Sequence, residues 1–163
     1  MIELVLISDS HGRDEVFEEL RLKHPNADAY LHAGDSECDQ ATLGAFISVQ
    51  GNNDRYFDHP IERFFDFEGV KVWMSHGHQV PIFQAPQRLS VRARELGVQL
   101  CLYGHSHVFK VIQEKDLTLV NPGSIHYNRD GSEPSYALIH IDQGHIRVTR
   151  CTHPRARSKR RWF

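Results

Sequence analysis

The chain opens on an apolar, β-branched run, residues 2–8 (Ile-Glu-Leu-Val-Leu-Ile-Ser), whose density of Val, Ile and Leu predicts a buried strand. The pattern then changes to a helical period over 13–23, with Val16, Phe17 and Leu20 on one stripe, acids in the first turn and Pro25 as the stop. A strand is predicted over 28–33, a short helix over 39–45 and a further strand over 46–49. Glu68-Gly69 reads as the turn between strands at 61–67 and 70–75. A helix over 86–96 stops at Gly97, and 99–103 is another buried run. Strands follow at 108–113 and 117–120 around Glu114-Lys115-Asp116, and at 136–142 and 145–150 around Gln143-Gly144. Alternating β and α early, then hairpins late, predicts an α/β fold with helices covering sheets.

Polar clusters stand at the ends of these strands. Asp9-Ser10-His11 follows the first, Gly34-Asp35 the second and Gly51-Asn52-Asn53-Asp54 the third. Ser75-His76-Gly77-His78 closes the strand that begins at Val70, and Gly104-His105-Ser106-His107 follows Tyr103. Ligands of open α/β sheets bind beyond the carboxyl ends of strands, so five such clusters predict one shared crevice. Imidazole with carboxylate suits zinc, iron, manganese or nickel, and the absence of thiolates from the clusters argues against a cysteine-based zinc site. Alternate residues leaving a strand share a face, so Asp9 and His11, and likewise His105 and His107, are expected to aim at a common centre. Asp35, with two oxygens, is placed to bridge two cations, and a cation pair ~3.5–4 Å apart suits in-line phosphoryl displacement.

Composition narrows the setting. The 163 residues suit one domain, and no repeat or linker divides them, so 1–152 reads as a single domain followed by a basic tail over 153–163. No apolar run is long enough for a bilayer, and no basic stretch precedes an apolar one at the start, so neither a membrane span nor a signal peptide is expected. Cys38, Cys101 and Cys151 are odd in number and irregularly spaced, which predicts free thiols and a cytoplasmic location. The net charge of −2 hides an asymmetry: without Arg155, Arg157, Lys159, Arg160 and Arg161, the 19 bases become 14 against 21 acids, a body of −7. The tail reads either as an arm for an acidic partner or as a solvated terminus. No aromatic-and-basic stripe elsewhere supports nucleic acid as the partner, and apolar hairpin edges leave room for a homodimer.

The ordered set Asp-x-His, Gly-Asp, Gly-Asn-x-Asp, His-Gly-His and Gly-His-x-His resembles the calcineurin-like metallophosphoesterase superfamily. The short length, His76-Gly77-His78-Gln79-Val80 and Asn121-Pro122-Gly123-Ser124 are similar to its small YfcE-type phosphodiesterase branch, which is related to the retromer scaffold subunit. The similarity runs from Met1 to about Arg150. It implies a four-layer αββα sandwich, two mixed β-sheets flanked by helices, with two divalent metal ions, manganese foremost, at the sheet edges. It also implies Asp9, His11, Asp35 and His107 around one ion and Asp35, Asn52, His76 and His105 around the other. A bridging hydroxide would attack a small-molecule or nucleotide phosphoester, with Asp35, Asn52 and His76 as the catalytic set. The alternative it opens is an interaction scaffold with weak or no turnover.

One departure matters: Asn53 stands where many superfamily members carry a general-acid histidine, and an amide cannot serve as an acid. Asp54 and His78 are the candidate substitutes. Asp54 reads equally as a turn former or as a partner behind the ligands, and His78 as an orienter or neighbour. His32 reads as a core histidine, Arg129 as a solvated loop residue, Asn121–Ser124 as a turn, and 79–86 as either an apolar lip over the site or core.

Overall fold

A computed structural model describes residues 1–155. Ten strands form two five-stranded sheets. The first is built from β1 (Ile2–Ile7), β2 (Ala29–His32), β3 (Phe46–Ser48), β9 (Ser135–Asp142) and β10 (His145–Thr152), in the order β10-β9-β1-β2-β3. The second is built from β4 (Glu62–Phe67), β5 (Val70–Ser75), β6 (Leu100–Leu102), β7 (Phe109–Glu114) and β8 (Leu117–Pro122), in the order β4-β5-β6-β8-β7. Both are mixed: β1, β2 and β3 run parallel, as do β5, β6 and β8, while the hairpin partners are antiparallel.

Side-chain alternation assembles four layers from these strands. Leu4 and Leu6 of β1 pack with Val72, Met74, Leu100 and Leu102 in the core between the sheets. Their neighbours Val5 and Ile7 turn outward to Val16, Phe17 and Leu20 of helix α1 (Glu15–Lys23), joined by Leu43 of α2 (Gln40–Leu43). On the far side, Trp73 and Cys101 meet Leu89 and Ala93 of α3 (Ala85–Leu96). The expected four-layer αββα sandwich is therefore the observed one. Each central strand is apolar on both faces because both faces are covered.

Element ends differ from the sequence reading where side chains intervene. Helix α1 starts at Glu15 and not at residue 13, because Arg13 is drawn inward, donating to the carbonyls of Ile125 (2.7 Å) and Pro154 (2.5 Å). Asp39 caps α2 by accepting from Thr42 N, and the helix closes at Leu43, two residues short of the predicted end. Residues 79–86 hold a 3₁₀ turn, Ile82–Gln84, that leads into α3; Phe83 is 78% exposed, while Ala85 is buried with Trp73 and Leu89 and Val80 packs against them, so the segment is part surface and part core. The basic stretch beyond Arg155 lies outside the described residues.

Among the described residues no helix is long and apolar enough to cross a membrane. The parallel strands of both sheets deliver their carboxyl ends to one edge of the sandwich. Loop-to-loop hydrogen bonds such as Gly104 N–H to the His76 carbonyl (3.1 Å) and Ile125 N–H to the Ser8 carbonyl (3.1 Å) tie those ends together.

Candidate metal centre

Three of the loops at this edge share one construction. Asp9-Ser10-His11, Asp35-Ser36-Glu37 and His105-Ser106-His107 each place a left-handed residue on either side of a serine. The φ values are 53° and 44°, 60° and 57°, and 72° and 56°. The expectation of paired side chains on extended backbone is thus corrected: the pairs lie past the strand ends, on left-handed turns. L-residues there cost ~1–2 kcal/mol each, so the surrounding bonds must hold them. They do so as a ladder between the first two loops, with Asp9 N–H donated to the Gly34 carbonyl and His11 N–H to the Asp35 carbonyl, both at 3.0 Å.

The side chains converge. Oδ1 of Asp9 lies 3.2 Å from His107 Nε2, 3.7 Å from His76 Nε2 and 3.8 Å from His11 Nε2. Oδ2 of Asp35 is 3.4 Å from His76 Nε2 and 3.8 Å from His11 Nε2. Two groups result, Asp9 with His11 and His107, and Asp35 with His76 and His105; within each, the candidate ligand atoms lie within 4.8 Å of one another. Asn52 joins the second through its Oδ1, 3.1 Å from His76 Nε2. All seven residues singled out as ligands in the sequence are therefore brought to one place.

The protonation pattern fits cations at the centre. His11, His107 and His76 can each donate Nδ1–H to an oxygen: Glu37 Oε1 at 3.1 Å, the Tyr127 carbonyl at 3.0 Å and the Ala33 carbonyl at 2.6 Å. Those partners turn the Nε2 atoms inward, the arrangement that oxygens behind the ring impose on metal-binding histidines. Oδ1 of Asp9 is buried and accepts no hydrogen bond, a costly state for a carboxylate oxygen unless a cation answers it.

Titration behaviour points the same way. Burial works against ionising Asp35, but hydrogen bonds from His76 and Asn53 outweigh it and hold the carboxyl well below its usual range. Burial likewise opposes a charged His76, yet Asp35 and Asp9 raise its pKa, so the pocket attracts positive charge. His105 moves down, chiefly through burial and then through the His76 charge.

Behind the ligands lies a scaffold that the sequence shows only in part. Asp54 is the partner and not merely a turn former: its carboxylate accepts from the backbone N–H of Asp35 (2.7 Å), Glu37 (2.8 Å) and Gly51 (2.8 Å). Asn53 donates its backbone N–H to Asp35 Oδ1 and its amide to Asp35 Oδ2, both at 2.9 Å. Oδ2 of Asp9 is held by Ser8 Oγ (2.6 Å) and by His105 N–H (3.1 Å). The Asn121–Ser124 segment braces the rear: Asn121 donates to the Gly104 carbonyl and Ser124 Oγ to the Asp9 carbonyl.

Glu37 and Ser8 were not singled out in the sequence. The signal for Glu37 was the repeated spacing, since Asp35-Ser36-Glu37 copies Asp9-Ser10-His11. His78 stands beside the centre and outside both ligand groups, its ring 5.4 Å from that of His76. Its Nδ1 is buried without a partner, and burial lowers its pKa. Arg129 is exposed and meets the site through its backbone N–H, donated to the His107 carbonyl.

The family described as Calcineurin-like phosphoesterase superfamily domain matches residues 2–144. The protein named Probable metallophosphoesterase YsnB, from Bacillus subtilis (strain 168), is 31% identical over 144 residues, which are 86% of this chain and 85% of that one. Among solved structures, a conserved Streptococcus pneumoniae TIGR4 protein described as a predicted phosphoesterase superposes with a TM-score of 0.86 at 33% identity, covering 95% and 92% of the two chains. Vps29 from Entamoeba histolytica, solved as a complex with Zn2+, gives a TM-score of 0.71 at 22% identity over 92% of this chain and 98% of its own, a likeness of fold.

Proposed function

Because this chain belongs to the calcineurin-like phosphoesterase superfamily, we propose that it hydrolyses a small or nucleotide-like phosphate ester with two divalent cations, manganese foremost and zinc, iron or nickel as alternatives. The observation that carries this reading is the buried, unpartnered Asp9 Oδ1 facing the inward nitrogens of His11, His76 and His107. Asp9, His11, Asp35 and His107 would hold one cation, and Asp35, Asn52, His76 and His105 the other. When bound, such a pair supplies a nucleophilic water at neutral pH and neutralises charge on the phosphoryl oxygens.

The chain's own groups set the rest. Asp35 is kept ionised by His76 and Asn53 and aimed by Asn53 and by Asp54, which holds its backbone N–H, so its two oxygens stay available to both ligand groups. His76 is locked by the Ala33 carbonyl, which fixes the direction of Nε2. Asn52 Oδ1 stands beside that nitrogen and completes the catalytic set with Asp35 and His76. Asn53 is an amide and no acid, and Asp54 is not free to protonate a leaving group, since its carboxylate is engaged with three backbone N–H groups. Substrates with good leaving groups, diesters among them, suit such a site. Three free cysteines suit a cytoplasmic enzyme.

Purified protein loaded with manganese is expected to cleave bis-p-nitrophenyl phosphate, and Asp35→Asn and His76→Ala to abolish the activity. Full activity in both variants would remove the mechanism. A second reading, an interaction scaffold without turnover, draws on Asn53 and on the shared fold with Vps29. It would prevail if a broad phosphoester panel gave no turnover with two cations demonstrably bound.

A further inference from the structure

His32 lies on β2 beneath the centre, fully buried and outside both ligand groups. It bonds to the starts of two ligand-bearing loops, one two residues further along its own segment and the other across 22 residues of sequence. Its Nδ1 accepts the backbone N–H of Gly34 at 3.1 Å, and its Nε2 lies 2.8 Å from Ser10 Oγ. A backbone N–H can only donate, so Nδ1 is bare and the ring proton of the neutral form sits on Nε2, directed at the serine. Phe17 packs edge-on against the ring, with centroids 6.0 Å apart, and fixes its plane.

The attachment points give these bonds their weight. Ser10 is the residue between Asp9 and His11, and Gly34 immediately precedes Asp35. Asp9, His11 and Asp35 all have left-handed backbone, and Gly34 itself has φ of +100°. One imidazole therefore clamps the two turns that present three of the seven candidate ligands. In the other two loops of the same construction the middle serine pairs with backbone two residues on, Ser36 with Cys38 and Ser106 with Val108, and Ser106 also takes the amide of Asn121 on β8. Ser10 takes the ring of His32 on β2.

We propose that His32 is a positioning residue for the metal centre, holding the Asp9–His11 turn and the Asp35 turn in register so that their ligands are preorganised for cations. The inference rests on the metal-centre reading above. Removing the ring leaves a buried Gly34 N–H and a buried Ser10 hydroxyl without partners and frees two strained turns to relax, which displaces ligands by the small amounts that cost affinity.

The test is calorimetric titration of manganese into metal-free protein, with a thermal melt of each variant to establish that it is folded. Wild type is expected to bind two ions. His32→Leu is expected to bind ~10–100-fold more weakly, the usual effect of removing an outer-shell partner. His32→Asn, whose Oδ1 can take the place of Nδ1, should recover part of the loss by keeping the Gly34 bond. Ser10→Ala opens no large cavity and guards against a misfolded leucine variant; it should weaken binding, and combined with His32→Leu should add nothing further. Folded variants that bind as tightly as wild type would overturn the role of His32 and leave the metal centre standing. A wild type that takes up no cation would overturn both.

Discussion

The carboxylate of Asp54 accepts the backbone N–H of Asp35 at 2.7 Å, so the residue proposed to bridge two cations is itself held from behind by a second acid. The two do not compete for the centre, since Asp54 also takes the N–H groups of Glu37 and Gly51. Its charge is answered by three oriented dipoles. Asp54→Ala leaves those donors buried and unpaired, and should destabilise the fold by about 3–5 kcal/mol. Asp54→Asn keeps one oxygen and should lose less. Urea unfolding of the metal-free proteins checks this, and equal stability in all three would show that the anchor is unimportant.

Gly104 is tight for a steric reason and not a conformational one. A Cβ there would collide with Ser8 Oγ and come within 2.8 Å of Asp9 Oδ2. Gly104→Ala should therefore push Asp9 aside while the sheets stay formed, weakening manganese binding by at least ~10-fold with a stability loss of about 1–3 kcal/mol. Unaltered cation affinity would mean that the loop yields without moving its ligand.

Asn53→His exchanges an amide committed to Asp35 for a group able to carry a proton. General acids contribute ~10²–10⁴-fold where the leaving group is poor. Even a fraction of that should raise hydrolysis of an alkyl phosphodiester more than hydrolysis of bis-p-nitrophenyl phosphate. The ratio of the two rates, wild type against variant, is the measurement. A ratio unchanged or reversed would place the missing proton donor elsewhere.

Burial lowers the pKa of His32 to about 4 from an ordinary 6.5, aided by the His76 charge and opposed by Asp54, Asp9 and Asp35. The unfolded chain takes up this proton near pH 6.5, while the folded chain resists until about pH 4. The stability due to the neutral ring is thus complete above pH 6.5 and drains away as pH falls toward 4, a change of about 3 kcal/mol. His76, whose pKa is raised, contributes in the opposite direction, so the comparison that isolates His32 is wild type minus His32→Asn at pH 7 and at pH 4.5. Parallel pH profiles for the two metal-free proteins would contradict the assignment.

Much of this molecule can be read from the order of its residues, and the part that cannot has a physical reason. Val5 and Ile7 against Leu4 and Leu6 reveal a strand covered on both faces, and Gly97, Glu68-Gly69 and Gln143-Gly144 mark real turns. Periodicity carries no information on which strand lies beside which, so the insertion of β8 between β6 and β7 was not legible. Six of the seven candidate ligands stood out because histidine and aspartate recur at strand ends, and Asn52 because it sits in a cluster of the same kind. Glu37 and His32 did not, because an outer partner is defined by what it touches across 26 or 22 residues of sequence. The extended geometry assigned to Asp9 and His11 failed because alternation holds only while the strand lasts, and β1 stops at Ile7.

The left-handed turns also bear on protein engineering. A designer who copied Asp9, His11, Asp35, His105 and His107 onto the strand ends of an unrelated sandwich would reproduce the side chains without their directions. The transplantable unit is the set of segments 8–12, 33–37, 51–54, 75–77 and 104–108, which brings Asn52 and His76 along with the turns and Asp54 beneath them. Grafts that omit Asp54 should express as folded hosts with empty pockets.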